Sequence, residues 1–108
     1  MARSARRYDL YLPLSDNEGR LFAEEQFDSV ERRLVARFGG LTPQQRDFPL
    51  RGIWQSHSRV YRDQVIVITV LDFRRQGSTR FIAQLKQALL SEFEQLDILI
   101  TEQPLRVH

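Results

Sequence analysis

Trp54, His57, Arg59, Tyr61 and Asp63 crowd into one short stretch of this 108-residue chain. Two aromatic rings can wall a pocket, a guanidinium can anchor an anion, and an imidazole can carry a proton near neutral pH. Spacing decides which of them meet. If His57-Ser58 is the two-residue turn of a hairpin, Ser56 faces Arg59 and Trp54 faces Tyr61. Trp54, Arg59, Tyr61 and Asp63 then share one face, with His57 at the tip. The same spacing also suits a cross-strand aromatic pair beside a solvated turn, since no residue is placed to hold His57. The candidate pocket or partner-binding set is Trp54, His57, Arg59 and Tyr61, and no catalytic residue is assigned.

Other chemistries lack their residues. Without cysteine there is no disulfide and no thiolate metal site. The histidines are His57 and the terminal His108, in no metal-binding spacing. Asp63 and Asp72 lie nine residues apart on one strand, roughly 30 Å at strand rise, too far to share a magnesium ion. No serine sits in a Gly-x-Ser-x-Gly context. Gly39-Gly40 follows a helix, so its amides form no phosphate cradle. No cofactor and no metal are expected.

The elements that must position the candidates centre on Asp63–Phe73, DQVIVITVLDF. Its run Val65–Leu71 is too β-branched for a helix and too short for a membrane span. Both phases are apolar, Val65, Val67 and Leu71 against Ile66, Ile68 and Val70, so each face of this strand needs a cover. Upstream, Tyr8–Leu14 alternates as a strand ending at Pro13. Ala23, Phe27, Val30, Leu34 and Phe38 form one helical stripe, with Glu24 and Glu25 in the first turn and Gly39-Gly40 as the stop. Gly52–Ser56 and Val60–Phe73 make the hairpin. A second helix starts at Ser78 or Thr79 and runs to about Gln95, with Ile82, Leu85, Leu89, Phe93 and Leu96 inward. Asp97–Thr101 is the last strand.

The string βαββαβ predicts an α+β fold, the ferredoxin-like sandwich, with two helices on one face of a four-stranded antiparallel sheet. One domain spans residues 8–103, between a basic tail (1–7) and an extended tail (104–108). FAEEQFDSVERRLVARFGGLT, then GIW, then VYRDQVIVI, resembles a group of small uncharacterised bacterial proteins. Phe38, Gly40, Leu41, Thr42, Gly52, Trp54 and the Val65–Leu71 run carry the likeness. It implies a fold and names no activity.

Composition is that of a globular domain, 42% hydrophobic and 28% charged, with net charge +2. The basic start MARSARRYDL lacks the apolar region of a signal peptide, and a cytoplasmic home is expected. Fifteen arginines stand against the single Lys86, but acidic residues are interspersed among them. Arg3, Arg6 and Arg7 read as part of a frayed tail; Arg74, Arg75 and Arg80 could touch phosphates, the route to a third reading as a nucleic-acid accessory protein working through arginine, and a solvated helix entrance explains them equally well. The third strand carries Val and Ile where RNA-reading sheets carry Phe or Tyr, so nucleic acid is not expected as a partner. Nor is a membrane. Helices occupy one sheet face, which leaves the other for a dimer partner, a ligand, or both, with a homodimer the first expectation. The leading expectation is a non-catalytic dimeric binding or regulatory module. The alternative is a cofactor-free enzyme of the dimeric α+β barrel type, with its pocket near Trp54, His57 and Tyr61.

Overall fold

The computed structural model describes residues 1–108, and its longest strand is the apolar run just singled out. In chain order the elements are β1 (Arg3–Pro13), α1 (Glu24–Phe38), β2 (Thr42–Pro43), β3 (Leu50–Ser56), β4 (Arg59–Asp72), α2 (Thr79–Glu92) and β5 (Ile100–Val107). The sheet order is β2-β4-β1-β5, with β3 also on β4, and every pairing is antiparallel. β2 and β3 lie end to end along the same edge of β4, at Ile68–Thr69 and Arg59–Val65. Together they fill the place of one strand, which makes this the ferredoxin-like α+β sandwich with both helices on one face.

The core lies between that face and the helices. Tyr8, Leu10 and Leu12 of β1 and Ile66, Ile68 and Val70 of β4 are almost wholly enclosed, facing Phe27, Val30 and Leu34 of α1 and Leu85, Leu89 and Phe93 of the α2 end. α1 starts where the Gln26 amide oxygen accepts from the Ala23 N–H, half of a capping box. It stops at Gly39, whose φ of 84° gives the left-handed cap predicted for this glycine. Arg33 clamps Glu92 with two bonds of 2.9 and 2.6 Å, joining α1 to the end of α2. No helix is long and apolar enough to cross a membrane.

Three expectations fail at the edges. The residues read as tails, 1–7 and 104–108, are largely strand: β1 begins at Arg3, which pairs with Val107. Pro104 misled the reading, because proline usually ends a strand. The Tyr11 N–H donates to the Leu99 carbonyl, so odd-numbered β1 residues bond toward β5. Pro104 faces the even-numbered Arg6, and its missing N–H therefore falls on the outer edge of the sheet. Second, α2 ends at Glu92, because Glu94 takes a left-handed φ of 50°. Leu96, expected on the inner stripe, is fully exposed. Third, β5 begins at Ile100 instead of Asp97, although Ile98 still reaches the core.

The opposite sheet face has no cover from this chain. Val65, Val67, Thr69 and Leu71 on β4, and Arg7, Asp9 and Tyr11 on β1, are each partly exposed there.

Candidate functional site

β3 and β4 reach past the body of the sheet as a two-stranded arm. β1 pairs with β4 only from Val65 onward, the Leu14 N–H donates to the Gln64 carbonyl at 3.1 Å, and Arg59–Asp63 have β3 alone. At the tip His57 and Ser58 form the turn, and His57 takes φ 58°, as the first residue of a primed hairpin turn does. Ser56 faces Arg59 and Trp54 faces Tyr61, the predicted register.

That register builds an aromatic surface. The Trp54 and Tyr61 rings stack with centroids 6.4 Å apart and planes 16° apart. The indole folds back along its own strand: a Cβ built on Gly52 would stand 3.0 Å from Trp54 Cζ3. Any larger residue at that position would push the ring aside by a few tenths of an ångström. Asp63 is the cross-strand partner of Gly52, and burial raises its carboxyl above its ordinary value. The Arg59 guanidinium lies 5.4 Å from the Tyr61 ring centroid.

Trp54, Arg59, Tyr61 and Asp63 are thus brought together on one face, and His57 is not among them. Its imidazole makes no hydrogen bond; the tip's one side-chain contact is the Gln55 amide donating to the His57 carbonyl at 3.4 Å. The aromatic pair stays half-open to solvent, Trp54 at 44% and Tyr61 at 37% exposure. Leu50 lies on the same face opposite Val65, and Pro13 flanks Val65 from the other side. The surface therefore runs unbroken from the arm onto the open face of the sheet.

Sequence reasoning missed the polar island farther along that face. Arg7 Nε donates to both Asp9 oxygens at 3.1 Å, and the Thr69 hydroxyl donates to Asp9 at 2.6 Å. The signal was available: Asp9 shares the phase of Tyr11 in YDLYLPL, but its partner Thr69 emerges only from the β1–β4 register.

A second missed cluster sits at the far end of β4, on the helical side. Burial alone would raise the Asp72 carboxyl, yet it is held below its usual value. The Ser78 hydroxyl donates to it at 2.7 Å and the Arg74 backbone N–H at 3.0 Å, with the Arg74 guanidinium alongside. Arg37 in turn donates to the Ser78 hydroxyl, tying the end of α1 to the start of α2. The Tyr8 hydroxyl is enclosed nearby without a partner, and burial raises its pKa. Asp72 closes a loop; it faces no open space.

His, Asp and Glu side chains nowhere converge in threes as a metal site would need. A cleft of about 470 Å³ opens between α1 and α2, lined by Arg33, Arg37, Phe81 and Leu85. It lies on the helical side, away from the aromatic face, and the Arg33 guanidinium is already spent on Glu92.

No family model matches the chain, and no curated protein matches it. Among solved structures it is similar to a phage SAM lyase in complex with S-methyl-5′-thioadenosine, at TM-score 0.64 and 13% identity over 95% of this chain and 88% of that one. A phage SAM lyase in the apo state aligns at TM-score 0.48 and 15% identity, over 98% and 89% of the two chains. At such identity the first likeness is one of fold: the chain folds as that lyase does.

Proposed function

We propose that this chain is a cofactor-free enzyme acting on a small organic molecule held against Trp54 and Tyr61, and that the molecule is an S-adenosyl sulfonium compound. One observation carries the reading: a stacked aromatic pair, half-open, shares its face with a poorly solvated carboxylate. An adenine ring has the flat π-surface that stacks on tryptophan, and a sulfonium is drawn to aromatic faces and to a carboxylate. An elimination suffices: a base takes the proton from the carbon next to the C–S bond, the C–H electrons become a double bond, and the thioether leaves as a neutral molecule with the electron pair of the broken carbon–sulfur bond. Asp63 is the group to offset the positive charge or accept a proton, and Arg59 the group to meet the substrate carboxylate. The fold shared with a lyase in complex with S-methyl-5′-thioadenosine supports this substrate class. His57 has no role in it.

The test is incubation of the purified protein with S-adenosylmethionine, with chromatography for S-methyl-5′-thioadenosine. Product is expected from the wild type, strongly reduced product from Trp54→Ala and Asp63→Asn, and undiminished product from His57→Ala. Absence of product from the wild type sinks the enzymatic reading.

The exposed apolar sheet face favours a second reading, a non-catalytic module that pairs through this face with another copy. Native mass spectrometry separates the two. A nucleoside-sized adduct supports the pocket, and a bare dimer that makes no product supports the module.

A further inference from the structure

The fold collects arginines that are scattered along the chain. β1 contributes Arg3 and Arg6, the loop after β4 contributes Arg74 and Arg75, α2 opens with Arg80, and β5 closes with Arg106. Contacts confirm that they share one end of the molecule. Arg6 packs against Gly77 in the β4–α2 loop, Arg74 donates to the Arg37 carbonyl at the end of α1, and Arg106 pairs with Ser4. Two carboxylates stand among them, Glu102 on Arg6 and the buried Asp72. Arg75, Arg80 and Arg106 are exposed and have no acidic partner.

We propose that this end binds the phosphate backbone of nucleic acid. The sequence reads Arg3 and Arg6 as part of a frayed tail and leaves Arg74, Arg75 and Arg80 equally open to phosphate contact or to a solvated helix entrance; strand pairing fixes them at one end of the sheet, Arg3 on the open face over Phe73 and Arg6 and Arg106 on the helical side. Guanidinium forks suit phosphate oxygens, and a surface fixed by β1, β5 and the α2 entrance loses little freedom on binding. The patch reads no bases: its one exposed aromatic, Phe73, lies under the Arg3 guanidinium at 4.0 Å. Exposed Met1 and the part-exposed Phe73 are too little apolar surface to anchor this end in a bilayer, which disfavours a lipid surface.

Fluorescence anisotropy with labelled single-stranded and duplex oligonucleotides tests this across a salt series. With about four phosphates engaged, log affinity for a single strand falls with log salt at a slope near −3, roughly a sixtyfold loss from about 50 to 200 mM. Arg75→Ala/Arg80→Ala is expected to flatten that slope by about 1.4, at about 0.7 per phosphate, with an unchanged melting temperature. Arg51→Ala/Arg62→Ala on the arm leaves it unaltered. Three results overturn the proposal: no binding at the lowest salt, equal loss from the arm variant, or binding to phosphatidylserine vesicles without binding to either oligonucleotide.

Discussion

The two halves of β4 are made of the same backbone ladder and put to opposite uses. From Ile66 to Asp72 every second residue is buried, whereas from Arg59 to Val65 none is. β1, β2 and two helices flank Ile66–Asp72, and β3 alone flanks Arg59–Asp63. A two-stranded hairpin is marginal in water unless something packs on it. Ile53, Trp54, Val60 and Tyr61 nevertheless expose apolar surface on both sides of the arm. Stability resides in the covered half, and recognition is available to the uncovered half.

The contrast can be broken first at Ile68, wholly enclosed among the core residues. Ile68→Ala is expected to cost about 3–4 kcal/mol in denaturant unfolding. The same truncation on the arm, Ile53→Ala, should cost under about 1 kcal/mol; comparable losses would mean that the arm belongs to the core. Next comes Asp72→Ala, at about 2 kcal/mol, because it strands the Ser78 hydroxyl and removes the anchor of Arg74. Then follows pH. The lowered Asp72 contributes stability that is complete above its unfolded value near 3.8 and is lost as pH falls through the folded one. Acid unfolding should therefore be shallower in Asp72→Asn than in the wild type.

Asp63 sharpens the comparison with the opposite sign. Its folded pKa is raised, so whatever stability it lends is present below about 3.8 and disappears as pH rises through the folded value. Asp63→Asn should leave melting at neutral pH unchanged or slightly higher while removing turnover. A clear fall in melting temperature would recast Asp63 as structural. The smallest effect belongs to His57→Ala, expected to leave binding and turnover unaltered and to lower stability only marginally.

How much of this was legible follows from which forces are local. Periodicity exposed both helices, the hairpin and the Trp54–Tyr61 pairing, because alternation and turn chemistry are written in neighbouring residues. The packing of Trp54 over Gly52 was not, since nothing in a two-residue spacing says which way an indole folds. Leu96 fitted the helical stripe, and only the left-handed Glu94 removes it. The clusters Arg7–Asp9–Thr69 and Asp72–Ser78–Arg37 join residues far apart in the chain, so they appear only once strands and helices are in place. The outer ends of the two terminal strands are hidden by Pro104, whose pairing is legal for a reason of register that no local pattern carries.

That proline also bears on how the protein fails. A chain seeking to extend the sheet beyond β5 meets a missing donor at Pro104 in the middle of the outer edge, which interrupts any growing ladder. The outer edge of β3 has no such gap between Leu50 and Ser56, and it carries exposed Ile53 and Trp54. Runaway strand addition, should the protein aggregate, would therefore nucleate on the arm and grow in one direction only.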